Sequence, residues 1–251
     1  MRGSAEILGL AVLVAGCGSS KTEVGVVART ATQVTFPASD GQTVYADLYS
    51  SAKQPAQAVV LMFHQAGSSA REYASIAPQI GDLGFDYIAT DQRSGGDLYG
   101  LNRTLVKGKQ GDYLAAYHDL EGALSYVKSK PYKTIIVWGS SYSSSLVFKL
   151  AAEHPEVKGV LSFSPGEYMD DKTAVSGWMS KTTVPVFFAC TEDEWADGRS
   201  KLFATIASKE KTSNILPGAV HGSSTLIPEK SKAAPDYLKL VTTFLKRWQS
   251  K

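Results

Sequence analysis

Short apolar runs alternate along the chain with longer stretches in which apolar residues recur at helical spacing. The short runs predict strands, which lie at residues 44–49, 58–63, 85–90, 135–138, 160–163, 184–190 and 211–216. The longer stretches predict helices at residues 73–83, 113–130, 144–153, 199–208 and 235–248. This alternation is typical of an α/β fold in which helices cover both faces of a mostly parallel sheet.

The turn between the strand at residues 135–138 and the helical pattern that follows carries the clearest chemical signal. It reads Gly139-Ser140-Ser141-Tyr142-Ser143. On so sharp a turn, the residues two before and two after a nucleophile must be small, because larger side chains would collide with the crossing backbone. Such a turn lifts the Ser141 hydroxyl above the sheet beside a helix N-terminus. The alternative is a serine-rich helix cap, in which Ser140 or Ser141 only satisfies backbone donors.

This turn resembles the Gly-x-Ser-x-Gly elbow of the α/β-hydrolase superfamily, with Ser143 at the last glycine. The resemblance implies an α/β-hydrolase fold and a catalytic triad in the chain order serine, acid, histidine. It places the acid in the acidic turn after the strand at residues 184–190. There Asp193 is predicted as the acid, with Glu192 and Glu194 as alternatives. Asp197, slightly later, is a weaker candidate and fits the cap of the following helix better.

His221 is the predicted base, because it alone among the four histidines follows both the serine and the acid in a loop. The other three histidines have simpler interpretations. His64 ends a strand and is predicted to hold its loop by hydrogen bonds. His118 lies within a helical pattern. His154 precedes a proline that stops a helix, where a cation is favourable.

The oxyanion hole needs two backbone N–H groups, one of them from the residue after the nucleophile, which is Tyr142. The sequence His64-Gln65-Ala66-Gly67 after an apolar strand resembles the His-Gly element of the family, with Gln65 at the glycine. The N–H of Gln65 is therefore predicted as the second donor. Arg93 lies in a segment similar to the Arg-Gly-x-Gly turn that many of these hydrolases have after the fourth strand. We expect Arg93 to fix that loop through a salt bridge.

The substrate pocket is less clearly marked. Only residues 167–183 separate two predicted strands where larger relatives insert a cap, so the layout resembles the dienelactone-hydrolase-like branch, with little or no cap domain. Residues 95–111 are a candidate lip of the site. Four aromatic residues in loops are candidates for lining the pocket: Tyr99, Tyr168, Trp178 and Trp195.

The N-terminus resembles a bacterial lipoprotein signal, because a short apolar run leads into Val14-Ala15-Gly16-Cys17. The resemblance implies a signal peptide at residues 1–16, a lipid on Cys17, a flexible tether at residues 17–30 and a hydrolase domain at residues 31–251. The protein would then be anchored in a bacterial envelope, on the outer side of the cytoplasmic membrane or in the outer membrane facing the periplasm. A plain secretory leader is the alternative. If Cys17 carries the lipid, Cys190 would be the only cysteine in the folded domain and would have no disulfide partner.

The net charge and the motifs that the sequence lacks reduce the number of possible functions. The net charge of +2 is dispersed, which predicts no nucleic-acid partner. The sequence shows no Cys/His spacing for a metal, no dinucleotide fingerprint and no P-loop lysine, so no metal and no cofactor are expected. We therefore predict a serine hydrolase that cleaves small-molecule esters. A serine peptidase or amidase of the same fold and a non-catalytic binding lipoprotein are the alternatives.

Overall fold

The computed structural model describes residues 30–80 and 83–249. Within these ranges, one eight-stranded sheet has the order β1-β2-β4-β3-β5-β6-β7-β8. Strand β2 runs antiparallel to both of its neighbours, and all the other pairs are parallel. The strands are β1 Thr32–Pro37, β2 Thr43–Tyr49, β3 Ala58–Phe63, β4 Phe85–Asp91, β5 Thr134–Ser140, β6 Val157–Phe163, β7 Val186–Ala189 and β8 Lys211–Asn214.

Helices connect most of the strands. The α-helices are α1 Arg103–Lys107, α2 Tyr117–Lys128, α3 Tyr142–Glu153, α4 Ala174–Met179, the single turn α5 Glu192–Glu194, α6 Ser200–Ala204 and α7 Ala234–Leu245. A π-helical turn at Trp195–Arg199 joins α5 to α6. Short 3₁₀ segments lie at Ala70–Tyr73, Ala77–Ile80, Gly222–Leu226 and Lys246–Trp248.

The central strand β3 shows why the sheet is covered on both faces. All six of its side chains are buried, and successive residues point to opposite faces. Val59 and Leu61 pack in one core with residues of α2 and α3. Val60 and Met62 pack in the other core with residues of α7 and the early 3₁₀ segments. The predicted mostly parallel sheet, sandwiched by helices, is therefore confirmed.

Several predicted helices are shorter than expected. Over the described part of residues 73–83, the predicted helix is replaced by the ends of two 3₁₀ segments, Ala70–Tyr73 and Ala77–Ile80. Pro78 cannot donate the backbone hydrogen bond that an α-helix interior requires. The helix predicted at residues 113–130 begins only at Tyr117, after a turn closed by the Asp112 carboxylate on the Ala115 N–H. The helix predicted at residues 199–208 extends only over α6.

The edge strand β1 is absent from the sequence prediction. Its six residues are mostly exposed and only Phe36 is buried, so the apolar signal of a strand is weak there. At the opposite side of the sheet, β7 and β8 are shorter than predicted. The strand β7 begins after Pro185, whose missing N–H cannot join the ladder.

The predicted signal peptide at residues 1–16, the predicted lipidation site Cys17 and all but the last residue of the predicted tether lie outside the described residues. Among the residues that are described, no helix is both long enough and apolar enough to cross a membrane. The domain boundaries and the anchor therefore stay predictions.

Candidate active site

Ser141 lies between β5 and α3 in a backbone conformation that residues other than glycine rarely adopt. Its φ is 56° and its ψ is −126°. A Cβ atom added to Gly139 would lie 2.3 Å from the Ser143 carbonyl oxygen, so the turn excludes any side chain there. Ser143 fits because its hydroxyl donates to the His64 carbonyl at 2.6 Å and accepts from the Gln92 side chain at 2.6 Å. The predicted sharp turn is present, with a hydrogen-bonded serine at its last position.

His221 joins Ser141 to a carboxylate. Its Nε2 lies 2.8 Å from the Ser141 hydroxyl oxygen, and its Nδ1 lies 2.6 Å from Oε1 of Glu194. Ser141 is buried, with 8% of its surface exposed, whereas 43% of the His221 side chain is open to solvent. This geometry gives a neutral imidazole one N–H to donate to the carboxylate and one lone pair to accept from the hydroxyl.

The acid of this arrangement is Glu194, which corrects the prediction of Asp193. Thr191 caps the turn α5, and Glu194 is its third residue. The Thr191 hydroxyl accepts the Glu194 N–H at 3.1 Å, while the Thr191 N–H donates to the Glu194 carboxylate at 3.0 Å. This capping box turns the Glu194 side chain back toward the sheet, whereas Asp193 and Glu192 are exposed to solvent. The Thr-x-x-Glu spacing was the signal in the sequence that could have identified Glu194.

Glu194 is held as an anion. Burial acts to raise the pKa of its carboxyl, but hydrogen bonds from His221, the Thr191 N–H and the Ser164 hydroxyl outweigh burial and lower the pKa to about 2. Ser164, which sequence reasoning missed, has a φ of 58° and donates to the Glu194 carboxylate at 2.7 Å. Its hydroxyl oxygen also accepts the Gly222 N–H at 2.9 Å, so Ser164 joins Glu194 to the loop that carries His221.

The predicted oxyanion donors have different outcomes. The Tyr142 N–H opens α3, where the helix itself offers it no acceptor. The Gln65 N–H, by contrast, donates to the buried Glu72 carboxylate at 2.9 Å, so the prediction of Gln65 as second donor is corrected. Gly67 and Ser68 also donate to backbone carbonyls. In the described parts of the chain, Ala66 has the one N–H of this loop, residues 65–68, that lacks an acceptor.

Two cavities flank Tyr168. One, of about 470 Å³, is lined by Gly166, Glu167, Tyr168, Ser176, Asp197, Gly198, Arg199, Lys201, Leu202 and Thr205. The other, of about 530 Å³, is lined by Asp112, Tyr113, Leu114, Tyr168, Met169, Asp170, Asp171, Ala174 and Trp178. Burial raises the pKa of the Tyr168 hydroxyl, and the proximity of Arg199 and Ser141 opposes this shift. The Tyr168 hydroxyl donates to the Ser164 carbonyl at 2.8 Å, so Tyr168 joins both cavities to the residue that also holds Glu194.

The four aromatic pocket candidates fall into two groups. Tyr168 and Trp178 line the cavities. Tyr99 instead hydrogen-bonds through its hydroxyl to Ser224 at 2.5 Å. Trp195 packs against Phe188. Two of the four candidates thus line the two cavities described above.

His64 and Arg93 hold their loops in place through hydrogen bonds and salt bridges, as their sequence contexts predicted. His64 is fully buried, donates from Nδ1 to the Gln65 carbonyl at 2.7 Å and accepts the Gln92 N–H at Nε2. Burial lowers its pKa to about 4, so its imidazole is neutral. Arg93 pairs with Asp40 and Asp119 and so pins its loop.

His118 is exposed on α2, and His154 caps the C-terminus of α3, directly after Glu153. Neither contacts Ser141. In the ranges that the structure covers, no group of three or more histidine, cysteine or acidic side chains is placed to hold a metal ion.

Residues 54–189, more than half of the chain, match the profile of the Hydrolase_4 family, described as serine aminopeptidase S33. No curated protein matches the chain in sequence. Among solved structures, the Pyrococcus furiosus esterase Pf2001 is similar, with 17% identity, a TM-score of 0.65, and coverage of 88% of this chain and 92% of the esterase.

Two further solved structures are similar to the chain. The dienelactone hydrolase from Anabaena variabilis shares 16% identity at a TM-score of 0.68, with 89% of this chain and 100% of that chain covered. A cold-adapted esterase from an Arctic intertidal metagenomic library shares 19% identity at a TM-score of 0.68, with 89% and 96% covered. With the sheet order described above, these likenesses confirm the predicted α/β-hydrolase fold.

The site predicts which carboxylate supports the histidine. Glu194→Gln should lower kcat for a serine-hydrolase substrate by on the order of 10⁴-fold, because the amide cannot stabilise the imidazolium and favours the wrong tautomer. The matched variant Asp193→Asn removes a neighbouring exposed carboxylate and should keep kcat within about twofold. Steady-state kinetics of both variants measure this, and a larger loss in Asp193→Asn than in Glu194→Gln would contradict the assignment.

Proposed function

The chain belongs to the Hydrolase_4 family of α/β-hydrolases, and we propose that it is a serine hydrolase that cleaves carboxylic esters through an acyl-enzyme on Ser141. The observation that carries the proposal is the continuous path from the Ser141 hydroxyl through His221 to Glu194, with contacts of 2.8 and 2.6 Å. Three side chains from distant parts of the chain thus meet at the carboxyl edge of the sheet, in the arrangement that nucleophilic catalysis by serine requires.

In the proposed mechanism, Ser141 attacks the ester carbonyl while His221 accepts the hydroxyl proton at Nε2. Glu194 keeps the Nδ1 proton directed toward itself and stabilises the positive charge that forms on the ring. The N–H groups of Tyr142 and Ala66 stabilise the developing oxyanion. His221 then protonates the leaving alcohol, and water, activated by the same imidazole, releases the acid and regenerates Ser141.

Esters are favoured over amides for two reasons. Alkoxide leaving groups need less protonation than amines, so a partly open site with a 43% exposed histidine serves them well. The esterases among the similar structures also favour this substrate class. We infer that Tyr168 and Trp178 contact the ester, since Tyr168 lines both cavities and Trp178 lines the cavity of about 530 Å³.

A serine aminopeptidase is the second candidate, because the family is described by that activity. An aminopeptidase must hold the free amino group of its substrate, and the cavity beside Trp178 is bordered by the carboxylates of Asp112, Asp170 and Asp171. A non-catalytic binding protein of the same fold is the third alternative. It differs from both enzymes in having no reactive serine.

A fluorophosphonate probe distinguishes the enzymes from a non-catalytic protein, and a set of substrates distinguishes the two enzymes from each other. The wild-type protein should be labelled on Ser141, and Ser141→Ala should not be labelled, because the probe reacts only with an activated serine. Ser143→Ala, a neighbouring serine variant, should still be labelled. Nitrophenyl acetate, butyrate and octanoate should be hydrolysed faster than leucine nitroanilide, and Ser141→Ala should lose on the order of 10⁴-fold or more in kcat. Absence of labelling would overturn the enzyme proposal, and preference for the anilide would favour the aminopeptidase.

We also propose that the enzyme is lipid-anchored through Cys17 in a bacterial envelope, with residues 18–30 as a tether. The support is the sequence Val14-Ala15-Gly16-Cys17 after a short apolar run. An anchor of this kind would hold the hydrolase next to the membrane, on the outer side of the cytoplasmic membrane or facing the periplasm.

Expression of the full chain in a bacterial host fed with labelled palmitate tests the anchor. The wild-type chain should incorporate the label and sediment with membranes, and Cys17→Ala should lose both properties. Cys190→Ala, which changes the only other cysteine, should keep the label because that thiol is buried. An unlabelled wild-type chain that is released into the soluble fraction would indicate a plain secretory leader.

A further inference from the structure

A second carboxylate lies beneath the site and takes no part in the proposed chemistry. Glu72 belongs to the 3₁₀ segment Ala70–Tyr73 and is fully buried. A buried carboxylate is costly unless its oxygens are hydrogen-bonded. Its Oε2 accepts the Gln65 N–H at 2.9 Å, and its Oε1 accepts the Ser140 hydroxyl at 2.7 Å.

These contacts join three segments that each contribute to catalysis. Gln65 precedes Ala66, the proposed oxyanion donor, and Ser140 precedes the nucleophile. The Ser140 oxygen in turn accepts the Ser223 N–H at 2.8 Å, two residues after His221. Glu72 is thus hydrogen-bonded, directly or through the Ser140 hydroxyl, to three segments. They are the oxyanion loop (residues 65–68), the nucleophile turn (residues 139–143) and the histidine loop (residues 221–223).

The orientation of the oxyanion loop depends on this carboxylate. Because Glu72 holds the Gln65 N–H beneath the site, the following peptide is left free to present the Ala66 N–H without an acceptor of its own among the described residues. An oxyanion donor is effective only when it is aimed in advance at the oxygen of the transition state. Loss of the Glu72 contact would release that constraint.

The charge of Glu72 also bears on the site. Burial raises the pKa of its carboxyl to about 7, against hydrogen bonds from Ser140, Gln65 and Ser68 and the charge of His221. Tyr73 is titratable and adjacent to Glu72, and burial raises its pKa well above the ordinary value, so it stays neutral. The ionised carboxylate therefore lies near the imidazolium that forms on His221 during catalysis.

We propose that Glu72 is a positioning residue of the hydrolase, whose ionised carboxylate fixes the oxyanion loop relative to the nucleophile turn and the histidine loop. The inference rests on the proposed function. It requires two deprotonated groups in the active enzyme, His221 as base and Glu72 as anion. A purely structural carboxylate would affect stability and leave the pH dependence of catalysis unchanged.

The test compares wild type, Glu72→Gln and Asp86→Asn by steady-state hydrolysis of nitrophenyl acetate and by the rate of fluorophosphonate labelling. Glu72→Gln keeps the shape but removes the charge and one acceptor, so kcat should fall about 10- to 100-fold with KM changed less than about threefold. Asp86 is a matched buried carboxylate that accepts the Ser51 N–H and the Tyr132 hydroxyl at the opposite end of β4. Asp86→Asn should keep kcat within about twofold.

The pH profile separates positioning from stability. Below about pH 7, where the Glu72 carboxyl with its pKa of about 7 takes up a proton, log kcat/KM of the wild type should fall with decreasing pH more steeply than that of Glu72→Gln, by about one further unit per pH unit. A folded Glu72→Gln enzyme with wild-type kcat, or with the steeper slope retained, overturns the inference.

Ser140→Ala decides the case if Glu72→Gln does not fold, since it removes the hydroxyl bridge and leaves the carboxylate in place. Its kcat should then fall about tenfold with the steep slope retained, and an unchanged kcat overturns the inference. A wild-type protein that neither hydrolyses the ester nor reacts with the probe would instead remove the proposed function, and this inference with it.

Discussion

The backbone at Ser141 is the constraint on which the rest of the site depends. A residue with a φ of 56° between a strand and a helix is unfavourable, and surrounding contacts must hold it. Here the Ser141 N–H donates to the Phe163 carbonyl at 2.8 Å, and Gly139 allows the Ser143 carbonyl to pass at close range. The same conformation that strains the chain raises the hydroxyl above the sheet and opens α3 with a free N–H beside it.

Two glutamates share the electrostatic task around this hydroxyl, and their environments differ. Glu194 receives hydrogen bonds from His221, Thr191 and Ser164 that lower its pKa to about 2, so it is ionised whenever the enzyme is folded at moderate pH. Glu72 is more deeply buried, and its pKa of about 7 makes its charge conditional on pH. One serine hydroxyl donates to each carboxylate, Ser164 to Glu194 and Ser140 to Glu72.

The sequence predicted what local pattern encodes and missed what depends on distant contacts. The apolar runs predicted the sheet and the Gly-x-Ser-x-small turn predicted Ser141, because each has a strong local signal. His221 was predicted from the chain order that the family resemblance implies. Three adjacent acidic residues left the acid ambiguous, and the direction of one side chain, set by the Thr191 cap, selects Glu194 over Asp193. Glu72 gave no signal, since the Ser140 hydroxyl that donates to its carboxylate lies 68 residues away in the sequence.

The central claim is that Ser141, His221 and Glu194 act together while Tyr142 and Ala66 hold the oxyanion. A crystal structure of the phosphonate adduct tests it most directly, because the adduct imitates the tetrahedral intermediate. The account predicts phosphorus bonded to the Ser141 oxygen, a phosphoryl oxygen roughly 3 Å from both N–H groups, and Nδ1 of His221 still on Glu194. A phosphonate on another residue, or a histidine paired with a different carboxylate, would contradict it.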